Sequence, residues 1–251
     1  MPNTPHHRKL TTFASALCLI GPAAAGLPEA QQLIPDQIQA YDGFGSAIAI
    51  DGPLAVISAS ESSLGGSVYV YDTETWSLIQ EIHSPDGGFF GHALDLDGTT
   101  LAVGAPSVWG HGTTLIGKAY LYDIITGEML FELEHDYTRY ATNFGRSVAV
   151  EGDHVAIGTG RADEVSIYDR ATGTLRKIIT PINDTPAFGG ILAISEGSIA
   201  INSGTTVEIF DLESGDLQYT LAPDNPDTPD TSVSVSTIAF EGDTLNVGTH
   251  Q

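Results

Sequence analysis

From residue 44 onward, apolar and polar positions alternate in short runs, each stopped by Gly, Asp, Thr or Ser. Alternation of period two is the mark of a half-buried strand. The stretch from Ala93 to Leu133 shows the unit: a strand over Ala93 to Leu96, a tight turn at Asp97-Gly98, and a strand over Leu101 to Gly104. After a longer loop come a strand over Ala119 to Tyr122, a turn at Thr126-Gly127, and a strand over Met129 to Leu133. Asp-Gly between alternating apolar runs is a strong hairpin signal, because Gly tolerates the positive φ that such turns require.

This unit recurs. Phe-Gly occurs at Phe44-Gly45, Phe90-Gly91, Phe144-Gly145 and Phe188-Gly189, at intervals of 46, 54 and 44 residues. A second mark follows in register at Tyr71-Asp72, Tyr122-Asp123, Tyr168-Asp169 and Phe210-Asp211; the last three run on to Thr126-Gly127, Thr172-Gly173 and Ser214-Gly215. A degenerate fifth copy starts near Ser234, where Ile238 to Leu245 tracks Val148 to Val155. Four short antiparallel strands per roughly 45 residues make the blade of a β-propeller, in which each blade buries the face of the next. The predicted fold is therefore an all-β propeller of about five four-stranded antiparallel blades.

Phe90-Gly91 followed by Gly104-Ala105-Pro106 resembles the FG-GAP repeat, the unit of the integrin α-chain propeller and of many secreted bacterial proteins. The resemblance extends over about residues 31 to 251. Ser58-Ala59-Ser60, Gly158-Thr159-Gly160 and Asn202-Ser203-Gly204 stand where the other copies would carry Gly-Ala-Pro. The fifth copy supplies two inner strands before Gln251, and Leu33 to Gln39 resembles the outer strand of a copy. We therefore expect an incomplete last blade that the N-terminal strand closes, with a truncated product or a piece of a larger ring as the alternatives.

The first 25 residues read as a leader outside the propeller domain, which takes residues 26 to 251. Arg8 and Lys9 precede an apolar run from Leu10 to Ile20, and Gly21 to Ala25 ends in the A-x-A arrangement of a cleavage site. The run is shorter than the ~20 apolar residues that span a bilayer, so we expect no membrane span. Export follows, to the medium, the periplasm or the cell surface, with cleavage near Ala25. The single cysteine, Cys18, leaves with the leader. Stability must then come from packing and not from disulfides.

Composition narrows the partners. Nine Lys and Arg against 32 Asp and Glu give a formal net charge of −23. Nucleic acid is excluded as a partner, since neutralising phosphates needs clustered cations. The acids do not spell metal loops either. The integrin likeness implies calcium held by D-x-D-x-D-G loops between the first two strands of a blade. Here that place holds Asp51-Gly52, Asp97-Gly98, Glu151-Gly152 and Glu196-Gly197, turns too short to wrap six oxygens around an ion. Hairpins with solvated acids and no cofactor are the expectation.

Asp95 stands where the other copies have Ala49, Ala149, Ala193 and Ala239. A carboxylate there needs a partner, either neighbouring backbone or Arg146 or His92; the alternative is a channel-facing ligand or acid. The histidines show no zinc spacing and the serines no Gly-x-Ser-x-Gly elbow.

Up-and-down topology gathers the uniform Asp-Gly and Thr-Gly turns on one face and the variable connections on the other. The variable set includes 107–117, with Trp109 and His111, and 135–143, with Tyr137, Arg139 and Tyr140. Loops on a rigid scaffold carry recognition, and aromatics with Arg dominate binding energy. The reading is a secreted, monomeric, non-catalytic binding module for a protein or polysaccharide at the cell surface or matrix. A propeller-type glycosidase or lyase, or an inactive truncated paralogue, is the alternative.

Overall fold

The computed structural model describes residues 19–20, 30–31, 33, 35, 38–108, 116–134, 142–182, 187–222 and 234–250. Every regular element among them is a strand. Leu19–Ile20 (β1) pairs with Ala30–Gln31 (β2) in a short ladder. The first blade is β3 to β6: Phe44–Asp51, Leu54–Ala59, Ser67–Asp72 and Leu78–His83. The second is β7 to β10: Ala93–Asp97, Thr100–Ala105, Lys118–Asp123 and Glu128–Leu133. The third is β11 to β14: Ser147–Glu151, His154–Gly158, Val165–Asp169 and Leu175–Ile179. The fourth is β15 to β18: Leu192–Ser195, Ser198–Ser203, Thr206–Asp211 and Leu217–Leu221. The last sheet holds two strands, β19 (Ser234–Glu241) and β20 (Thr244–His250).

Each four-stranded sheet runs up and down in sequence order, all antiparallel. The second strands, such as Leu54–Ala59 and Thr100–Ala105, are buried at every position. A strand covered on both faces reads as a continuous apolar run, and here the neighbouring blades supply both covers. The outer strands are largely exposed, and each carries one extra residue opposite the start of the Tyr-Asp pair, as between Met129 and Phe131. That recurring bulge bends each outer edge.

The two repeat marks meet inside each blade. Phe90, Phe144 and Phe188 are fully buried. Their rings lie edge-on to Tyr122, Tyr168 and Phe210 of the same blade, with centroids 5.9, 6.2 and 6.1 Å apart. In the first blade Phe44 meets Tyr69 instead, at 5.7 Å. The Asp that follows each aromatic holds the next turn. Asp123 Oδ1 accepts from Ile125 N, Thr126 N and Thr126 Oγ1, and Asp72 and Asp169 repeat the pattern. This is an Asx turn, in which a carboxylate satisfies two backbone N–H groups.

The glycines set how closely blades approach. A Cβ on Gly104 would stand 2.1 Å from the carbonyl oxygen of Gly145 in the next blade, and one on Gly158 would stand 2.0 Å from that of Gly189. So the first glycine of Gly-Ala-Pro is the seat for the glycine of the following Phe-Gly.

Closure of the ring by the N-terminal segment is not seen among the described residues. Leu33, Pro35, Ile38 and Gln39 lie outside any strand. Pro35 has no N–H for a ladder, and its carbonyl accepts from Ile38 N at 3.2 Å, which bends the chain into a turn. Gln39 N then donates to Asp42 Oδ2. Leu33 and Ile38 pack against Ile57, Tyr69 and Tyr71 of the first blade.

Candidate functional site

The five residues favoured by the sequence for binding, Trp109, His111, Tyr137, Arg139 and Tyr140, lie outside the described residues. The backbone on either side of their two loops is described, and it is fastened together. Val108 O accepts from Ile116 N and Gly117 N, which closes the base of the first loop. Ile116 O accepts from Thr142 Oγ1 at 2.6 Å and Phe144 N at 3.1 Å, which ties that base to the end of the second. Gly117 and Phe144 form a parallel bridge. No side chain fits at Gly117, where a Cβ would stand 2.2 Å from Phe144 O.

An ionic cluster reinforces the junction. Lys118 Nζ reaches Asp86 Oδ2 at 2.9 Å, Glu132 Oε1 at 2.6 Å and Glu134 Oε1 at 3.0 Å. Tyr120 Oη donates to the same Asp86 oxygen at 2.9 Å. The Lys118 side chain is only 14% exposed. Burial alone would lower its pKa, but the hydrogen bonds to Glu132, Asp86 and Glu134 outweigh that and hold the ammonium charged, above the usual lysine range. The same lysine keeps Asp86 and Glu134 below the usual carboxylate range. The crossover into the second blade and the stems of both loops thus share one cation.

Beside this junction the innermost strands converge. Ile48, Leu94, Val148, Leu192 and Ile238 occupy equivalent positions, one per blade, around a cavity of about 70 Å³ that opens to solvent. Two residues earlier, at the start of each innermost strand, stand Ser46, His92, Arg146, Gly190 and Ser236. This position follows Phe-Gly in each of the first four copies, yet never carries the same residue twice among them. Arg146 Nη1 donates to His92 Nε2 at 2.8 Å. Burial first, and the Arg146 charge second, pull the His92 pKa down to about 4, so the ring is neutral at pH 7. Among the described residues Arg146 makes no ion pair.

Asp95 lines a second cavity, among Ala149, Ala193, Ala239 and Glu241. Its Oδ2 accepts from Val150 N at 2.7 Å. Neighbouring backbone is thus its partner, and the two side chains that sequence reasoning had also offered it pair with each other.

Two of the four turn acids, Asp51 and Asp97, are corrected, whereas Glu196 is exposed as expected. Sequence alone suggested solvated hairpins, but Asp51 is 9% exposed and its Oδ2 accepts from Gly98 N of the next blade at 2.6 Å. Asp97 repeats this one blade on, accepting from Gly152 N at 3.0 Å and pairing with Arg170 at 2.6 Å. The signal was present as an acid before Gly in four successive copies. Among the described residues no group of three or more His, Cys, Asp or Glu is placed to hold a metal ion.

Comparison with known proteins gives a repeat match over part of the chain and a likeness of fold. Residues 28–71 match the FG-GAP repeat, a span that begins ahead of the first blade and reaches into β5. No curated protein matches the chain. A solved structure described as the crystal structure of the mitotic checkpoint complex is similar at 16% identity with a TM-score of 0.55, over 74% of this chain and 50% of that one. The chain therefore spans about half the length of the chain it matches, and at that identity the likeness shows the fold alone. No helix among the described residues is long and apolar enough to cross a membrane.

Proposed function

We propose, on the premise that the chain is an FG-GAP repeat protein with a β-propeller fold, that it is an exported, non-catalytic interaction module whose loop-bearing face recognises a protein or polysaccharide. The observation that carries this reading is the fastening of two variable stems: Ile116 O accepts from both Thr142 Oγ1 and Phe144 N, and Lys118 bridges to Glu134 and Asp86. Rigid stems lower the ordering cost of binding. The residues they support, Trp109, His111, Tyr137, Arg139 and Tyr140, are of the types that dominate binding energy.

The adhesion role of the integrin-like branch enters only as an analogy. Export rests on the leader ending at Ala25; N-terminal sequencing of the protein recovered outside the cell tests it, with Gly26 as the expected first residue. A glycan and surface-protein binding screen, repeated with Trp109→Ala and Tyr140→Ala, tests the loop face. Loss of at least tenfold in affinity in either variant supports it, and binding unchanged in both removes it.

A further inference from the structure

We propose that the cavity between the innermost strands binds a small aliphatic carboxylate, its apolar part between those strands and its carboxylate on Arg146. This deepens the binding-module reading and rests on it. The lining residues Ile48, Leu94, Val148, Leu192 and Ile238 are branched and aliphatic, so the cavity favours an aliphatic group over a sugar ring, whose hydroxyls would lose water without gaining partners.

The rim supplies one charge. Ser46 Oγ is engaged with Ser58 Oγ and Ser60 Oγ, each at 2.9 Å, and Gly190 has no side chain. His92 is neutral and spends its Nε2 lone pair on Arg146. That contact aims the guanidinium, a planar fork of five N–H donors, and is the one side-chain hydrogen bond it makes among the described residues. Its other donors can meet a carboxylate in the two-pronged geometry that arginine favours.

Among the described residues Arg146, Arg161 and Lys177 make no ion pair, and of these three only Arg146 lines the cavity. Lys118, Arg170 and Arg176 are each paired with carboxylates, as a chain with 32 acids and nine basic residues leads one to expect. Arg146 is paired with a neutral ring beside an apolar cavity, where weak screening strengthens attraction for an anion. A single cation in so acidic a chain selects a monoanion over a phosphate dianion. Gly160 leaves the approach open, since even a Cβ there would come within 3.4 Å of Arg146 Cγ.

The test is calorimetric titration of the full chain with isovalerate, as a free acid, and with N-acetyl-leucine, as a peptide C-terminus, each beside its amide. The expected result is that an acid binds at least tenfold more tightly than its amide, and that Arg146→Gln removes the difference at an unchanged melting temperature. Arg146→Lys, which keeps the charge without the fork, should retain part of it. The acid that binds more tightly identifies the source of the ligand. Equal binding of acid and amide, no binding at millimolar concentration, or an acid preference that survives in Arg146→Gln would overturn the inference. The macromolecular screen above reports on the loops separately, so either reading can fail while the other stands.

Discussion

Asp97 of the second blade carries one carboxylate oxygen to two donors of the third, Gly152 N at 3.0 Å and Arg170 Nη1 at 2.6 Å. Arg170 answers with Nη2 to Asp97 O at 2.8 Å and with Nε and Nη2 to Thr100 Oγ1. The seam between these blades is thus stitched at the turn-bearing end. Both side chains are about a quarter exposed, so screening limits the Coulomb part and the hydrogen bonds contribute most. Asp97→Ala should destabilise by about 2 kcal/mol, or roughly 4–8 °C in Tm. Adding Arg170→Ala should cost less than the sum of the two single changes. Urea unfolding of the two single variants and the double variant checks this, and strict additivity would mean that the pair is not coupled.

Glycines of this chain should differ in cost for a reason unrelated to φ. Gly98 has φ +61° and open space around it, so Gly98→Ala meets only left-handed strain, about 1–2 kcal/mol. Gly104 has no positive φ, yet a Cβ there would stand 2.1 Å from Gly145 O, a backbone atom that moves only if the seam opens. Gly104→Ala should therefore be the worse change, at about 3 kcal/mol or more. Denaturation midpoints of the two variants decide between packing and conformational strain.

These particulars show how far the sequence could be read. Phe-Gly and Tyr-Asp were visible because each does local work: the aromatics meet within one blade, and the Asp closes a turn three residues away. Blade number and strand order followed from their spacing. The latch from Asp51 to Gly98 joins residues 47 apart in the chain. A turn read by itself exposes its acid, and only the neighbouring blade buries it. Strand likeness over Leu33 to Gln39 did not make a strand of its described residues, since Pro35 has no N–H to give to a ladder. Beside the cavity, Arg146 and His92 were legible only as partners for Asp95. The sign of their role was a position that changes from copy to copy beside an invariant Phe-Gly.

His92 predicts an acid sensitivity of defined range. Unfolded, the ring takes up its proton near 6.5, whereas in the fold burial and Arg146 defer this to about 4. Between those values the unfolded chain binds the extra proton, so the contribution of His92 is complete above pH 6.5 and is lost as pH falls toward 4. Its size is on the order of 2 kcal/mol after allowance for partial exposure. In His92→Gln this loss should vanish, and the stability difference between wild type and variant should change only within that window. Below it the turn acids Asp72, Asp123, Asp169 and Asp211 take over in both proteins. Backbone or side-chain hydrogen bonds hold them below the ordinary carboxylate range, Asp169 at about 2, so their stabilisation is lost as they protonate. Chemical denaturation across pH 3 to 8 measures both effects, and a difference that keeps changing below pH 4 would assign the titration to another group.

Thr142 offers the most direct test of the fastened stems. Its side chain is buried and donates to Ile116 O at 2.6 Å, an oxygen that also accepts from Phe144 N at 3.1 Å. Thr142→Val keeps the volume and leaves that carbonyl one partner, so global stability should fall by only about 1 kcal/mol. The local effect should be larger, because the hydroxyl is the side-chain link between the end of the 135–141 loop and the end of the 109–115 loop. Hydrogen exchange at Ile116 and Gly117 should quicken severalfold in the variant, while amides of β12 (His154–Gly158), buried between blades, keep their wild-type rates. If stem rigidity serves recognition, affinity for whatever the binding screen recovers should fall in step with that exchange. Faster exchange with unchanged affinity would separate the two and leave the stems a purely structural role.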